Sequence, residues 1–123
     1  MSILPVLLRG TSAKMYLRVD SADEDALIGI LLLSAERMVM DVARIGHAEW
    51  REIQKVTTDH DGAVLTVHTD AYSLDEIIQI RELLKVAILY AVGYLYEHRE
   101  EADHHGLMMT LRNLLFAVRE GVL

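Results

Sequence analysis

From Ile77 to Tyr96 the chain is apolar over twenty positions, broken only by Gln79, Arg81, Glu82, Lys85 and Gly93. Ser73 and Glu76 ahead of it have the spacing of a capping box, and Asp75 suits the positive end of a helix. The pattern predicts one helix from Ser73 to about Ala102, spanning about 45 Å at 1.5 Å per residue. A globule of this length has a radius of gyration of about 14 Å and a diameter of about 35 Å, so the helix overshoots its own domain. Leu83, Leu84, Val86, Ala87, Ile88, Leu89, Ala91 and Val92 carry apolar character most of the way round it. A helix apolar on all sides needs cover on all sides, and the rest of the chain is too small to give it. A subunit interface is the expected cover. A membrane is not, because the four charged or amide side chains inside the run are each costly in lipid.

At 123 residues the chain is read as a single domain over residues 1–123, able to bury about two thirds of its unfolded surface. It has no cysteine, which excludes disulfides and thiolate metal sites. Nineteen acids oppose twelve bases, with no basic cluster, so sequence-specific DNA binding is not expected. An acidic surface remains compatible with a channel past which DNA slides. Met1 to Gly10 is apolar but short for a signal peptide and lacks a basic start, and Pro5 disfavours helix; it is read as a mobile arm or first strand.

The fold expected is mainly α: a small helical bundle with one long helix, a C-terminal helical hairpin and a β-hairpin insertion around residues 52–69. Thr11 or Ser12 caps a short helix that Asp20 closes. Ser21 and Glu24 form a second capping box; Leu27, Leu31, Ser34, Met38, Val42 and Ile45 make the stripe of the helix that follows, and Gly46 stops it. Helical periodicity fades after Trp50. Ile53 to Thr58 and Ala63 to Thr69 then read as hairpin arms of about six residues around the tight turn Asp61-Gly62. Asp103 to Gly106 is a turn, and Leu107, Leu111, Leu114, Leu115 and Val118 stripe the last helix.

The side chains offer little chemistry. His98, His104 and His105, near Glu97, Glu101 and Asp103, lack a specific ligand spacing and read as a solvated polar turn. The glycines are isolated, and no GxSxG or cysteine nucleophile is present. The expectation is no catalytic residue, no metal and no cofactor. Tyr90 and Tyr94 share a helix face and, without flanking Lys and Arg, suit packing or an interface better than base stacking. Arg99 has Asp103 as a candidate ion-pair partner one turn on.

Several segments in order are similar to the small head–tail connector (DNA-packaging, or adaptor) proteins of long-tailed bacteriophages. These are YLRVDSADEDALI, from Tyr16 to Asp20 and then Asp23 to Ala26; the small residues Ser34 and Ala35 in the next helix; the run Tyr96, Glu97, Arg99 closing the long helix; and Leu111 to Arg119 after it. The stretch from Trp50 to Thr69 departs from that pattern, being longer and more strand-like. The resemblance implies a structural protein of a phage or prophage, located in the virion and, during assembly, in the host cytoplasm. It implies a homo-oligomeric, dodecamer-like ring beneath the portal protein, joined below by a tail-completion protein, through which DNA passes without sequence-specific binding. The subunit interface is then expected on the long-helix face with Tyr90, Tyr94 and Arg99, together with Arg112 and Arg119. The hairpin tip, Asp59, His60, Asp61 and Gly62, is expected to meet the portal or the channel. The alternative is a small helical regulatory or ligand-binding dimer that buries the same helix across a two-fold axis.

Overall fold

The computed structural model describes residues 14, 16–18, 22–61, 63–98, 100 and 104–120. Among them, Lys14, Tyr16 and Leu17 are helical, and five further helices and one two-stranded sheet follow. We label these α1 (Asp25–Ala43), α2 (His47–Gln54), β1 (Val56–Thr58), β2 (Val64–Val67), α3 (Leu74–Glu97), α4 (His105–Leu114) and α5 (Phe116–Glu120). The chain is thus mainly α, with a small antiparallel hairpin between α2 and α3.

The core lies where α1 and α3 pack along each other and α4 closes the third side. Ile28, Leu32, Ala35 and Val39 of α1 meet Ile77, Leu84, Ile88, Ala91 and Val92 of α3 in one buried cluster with Leu107, Leu111 and Leu115. Up to Met38 the stripe of α1 is out of phase with the expected one: Leu27, Leu31 and Met38 are only half-buried and Ser34 is exposed, whereas Val42 and Ile45 are buried as expected. The reason is Glu36, which sits fully buried in the middle of the true stripe and makes that face read as polar.

Helix ends follow local chemistry. At α3 the capping box forms as expected: Glu76 N–H donates to Ser73 Oγ (3.2 Å), and Ser73 N–H donates to Glu76 Oε1 (2.9 Å). These bonds hold the Glu76 carboxyl below the usual carboxylate range. At α1 the expected box is displaced, because the helix begins at Asp25 with Glu24 in the N-cap position and no side-chain cap. The α1 stop is not Gly46 but Arg44, in the left-handed region at φ 59°. Gly46 instead takes extended backbone and serves as the N-cap of α2.

The middle and the last third also correct the sequence reading. Helix α2 runs through Ile53 to Gln54, so the hairpin arms have three and four residues, with a bulge between Thr57 and Thr58. The turn is longer than Asp61-Gly62 and runs from Asp59 to Ala63: Asp59 N–H donates to the Ala63 carbonyl at 3.0 Å, and Asp59 Oδ1 accepts from both Asp61 N–H and Ala63 N–H at 2.9 Å. Helix α3 ends at Glu97, giving 24 residues and about 36 Å, so it matches its domain instead of overshooting it. Gly106 lies inside α4, and the last helix breaks at Leu115 into α4 and α5, which fold back on the core. The arm Met1 to Gly10, the caps at Thr11 or Ser12, Asp20 and Ser21 all fall outside the described residues. Among the described residues no helix is long and apolar enough to cross a membrane.

Candidate subunit interface

The long helix is not buried on every side. Its inward stripe is Ile77, Ile80, Arg81, Leu84, Ala87, Ile88, Ala91, Val92 and Leu95. At 100° per residue, Ile78, Glu82, Val86 and Tyr90 fall on the opposite face, where the three apolar side chains are 38%, 54% and 39% exposed. Leu83 flanks them half-buried, in a shallow apolar depression with Gln79, Glu82 and Val86. Helix α1 repeats the arrangement: Ile30 and Leu33 lie outward, 62% and 38% exposed, with Arg37 and Asp41 along the same line. Because the inward stripes of α1 and α3 face a common core, the two outward stripes look away from each other. The molecule therefore carries two separate apolar strips.

The residues expected at the interface do not all come together. Tyr90 stands exposed beside the end of α3, while Tyr94 is half-buried. The Tyr94 ring stacks on His98 (centroids 4.2 Å apart, planes at 18°) and meets His104 edge-on at 6.0 Å. His98 Nδ1 lies 3.0 Å from the Tyr94 carbonyl, closing the helix end on itself. Tyr16, Arg18, Tyr90, Tyr94, Tyr96 and Glu97 line a cleft of about 380 Å³ there. Arg119 belongs to a different cleft, of about 420 Å³, with Arg44, Glu49, Tyr72, Glu76 and Ile80. Ile80 of the second cleft and Tyr90 of the first are ten residues apart on one helix, so the two clefts are separated by about 15 Å along it. Burial, then the charges of Glu49, Glu76 and Glu52, push the Tyr72 hydroxyl pKa up. Arg112 is exposed on α4. Arg99 and its candidate partner Asp103 fall outside the described residues.

At the hairpin tip, His60 and Asp61 are exposed and lie 3.4 Å apart, Nε2 to Oδ2. Asp59 is committed to the turn, and Gly62 falls outside the described residues. The hairpin is tied to α2 at its base, where Glu52 accepts from the Thr69 hydroxyl and from Lys55 Nζ. The Lys55 bond, then the Thr69 bond, lower the Glu52 pKa. Among the described residues no three His, Asp or Glu side chains gather into a metal-binding group.

Two groups escaped the sequence reading. Glu36 and Arg81 are the buried charged residues of the described core. Arg81 Nη1 donates to the Ile53 carbonyl at 3.0 Å, placing a cation at the carboxyl end of α2. Their signal was phase: each occupies a stripe position, Glu36 four after Leu32 and Arg81 four after Ile77. The exposed strip of α1 was also missed, since Ile30 and Leu33 lie in the run Ala26 to Leu33, apolar apart from Gly29, which does not separate inward from outward positions.

No family model matches the chain, and comparison with curated proteins and with solved structures finds no significant match.

Proposed function

We propose that this protein is a structural subunit that assembles head to tail into a ring, acting as a head–tail connector of a long-tailed phage or prophage. The observation that carries the self-assembly is the pair of apolar strips, on α1 and on α3, turned away from each other. A two-fold dimer needs one such strip, which meets itself. Two different strips facing opposite ways suit a heterologous contact, in which each copy uses one strip on each neighbour, and such contacts close into rings when the rotation allows.

The connector role draws on the ordered resemblance from Tyr16 to Arg119, and the net charge of −7 is compatible with DNA sliding past without being held. In this reading the subunits have no chemistry to perform. They extend the channel below the portal and present the exposed hairpin tip, His60 and Asp61, to a neighbouring component.

The test is size-exclusion chromatography with light scattering over a concentration series. A closed species of many subunits supports the reading. A dimer that persists unchanged across the series overturns it and favours the regulatory or ligand-binding alternative.

A further inference from the structure

We infer that the outward strip of α1 in one copy docks antiparallel on the outward strip of α3 in the next, with Leu33 opposite Val86 and Arg37 opposite Glu82. The pairing rests on the head-to-tail reading and names the surfaces that would carry it.

The two outward lines share a register. Along α1 the outward line runs Ile30, Leu33, Arg37, Asp41, and the helix ends before Arg44. Along α3, read backwards, it runs Tyr90, Val86, Glu82, Gln79. The steps match to within one residue: three, four and four on α1 against four, four and three on α3. Each line extends about 17 Å. Laid antiparallel, Ile30 meets Tyr90 and Leu33 meets Val86, which covers four exposed large apolar side chains. Arg37 then meets Glu82, and Asp41 meets the amide of Gln79. Laid parallel, the same lines set Ile30 against Gln79, Leu33 against Glu82, Arg37 against Val86 and Asp41 against Tyr90, losing both the apolar overlap and the charge pair. Among the described residues Arg37 has no ion-pair partner within the chain, and the ion pair of Glu82 is an exposed contact of 3.5 Å with Lys85. The charges are therefore available to set partner and direction, the part that charge plays at interfaces. The apolar ends of both lines coincide, so the fit is of two kinds at once.

The absence of cysteine makes the test clean. The full chain with Leu33→Cys and Val86→Cys together is treated with a short bismaleimide. The two positions face opposite ways on one copy, so they can be joined only between copies. The expected result is a ladder of dimers, trimers and higher products from the double variant, with neither single variant cross-linking. Dimers from either single variant alone would reveal a symmetric contact and overturn the pairing. No product, while scattering of the unmodified chain still reports many subunits, overturns this pairing and leaves the ring. No product together with a chain that stays monomeric overturns both. A second, independent measurement is charge exchange. Arg37→Glu or Glu82→Arg alone should raise the concentration for half-assembly about tenfold or more, and the two together should return it to near the original value. A double variant no better than the singles overturns the pairing.

Discussion

The helical core and the hairpin are held by different physics. In the core, Leu84, Ile88, Leu107 and Leu111 have no exposure at all, and their stability comes from apolar area removed from water. Among the described residues of the hairpin none is fully buried: Val56, Val64 and Val67 are half-covered against the core and Leu65 is 59% exposed. What shapes the hairpin is a set of short-range polar bonds, from Asp59 across its turn and from Glu52 at its base. A cluster of buried side chains unfolds as a unit, whereas a two-stranded ribbon bonded at its ends can open alone. The contrast teaches that the core sets global stability and the hairpin sets a local opening equilibrium.

The strongest way to break this contrast is Leu84→Ala. It removes a fully buried side chain from the centre of α3 and should lower the free energy of unfolding by about 3 kcal/mol, within the usual range for such cavities. Chemical denaturation reads the loss. Amide exchange at Thr57 and Thr66 should stay as it was, since those amides open without the core. If they accelerate in proportion, the hairpin is part of the same cooperative unit.

Arg81→Met tests the joint between the two regions. Arg81 is buried, burial lowers its pKa against the raising influence of Glu82, and it remains cationic at neutral pH. Its guanidinium bonds the Ile53 carbonyl three residues before β1 begins. Methionine fills similar space but leaves that carbonyl unpaired, so a loss of about 2 kcal/mol is expected. Unlike Leu84→Ala, it should speed exchange in β1 as well.

Within the hairpin, Asp59→Ala removes two turn bonds whose donors are open to water, so the global loss should be about 0.5–1 kcal/mol or less, while exchange at Ala63 and Val64 rises. Acid should act on the same region through Glu52. Its folded pKa is lowered, so its contribution is complete above the unfolded carboxylate value and is lost as pH falls through the folded one. Below the ordinary carboxylate range the Thr69 tie should weaken before the core unfolds, visible as loss of protection at His68, whose amide donates to the Lys55 carbonyl. Simultaneous loss at His68 and at Ile88 would remove the distinction between the regions.

How much of this was legible divides along the same line. The helical class, the Ser73–Glu76 cap and the α4 stripe Leu107, Leu111, Leu115 could be read because each rests on neighbours in sequence. The phase of α1 up to Met38 could not, because Glu36 occupies a core position and only the tertiary environment overrides its polarity. The C-terminal end of α3 was misplaced because no glycine or proline marks it; the helix stops where His98 folds back on Tyr94. The first hairpin arm was drawn too long because α2 continues through Ile53 and Gln54, residues that a strand pattern also accepts. As for the candidate site, the face expected to carry Tyr90 and Tyr94 together holds one exposed and one half-buried ring, and the separation of Arg119 from them depends on how α5 folds back, which spacing within one helix cannot reveal.

The smallest effect sharpens the contrast from the surface of the core. Gly93 sits inside α3, where alanine would stabilise a helix by about 1 kcal/mol. A Cβ there would lie 2.9 Å from Cε2 of Tyr16, well inside ordinary carbon–carbon contact. Tyr16 is 51% exposed and meets the helix with the edge of its ring, so the ring can give way cheaply. Gly93→Ala should therefore leave the chain equally stable or raise its melting temperature by a few degrees, while the Tyr16 ring signals lose their contact with α3 and the cleft between Tyr16 and Tyr94 changes shape. If the variant melts lower instead, the Tyr16 contact contributes more than the glycine costs, and the segment around Lys14 to Arg18 belongs energetically with the core and not with the locally opening parts of the molecule.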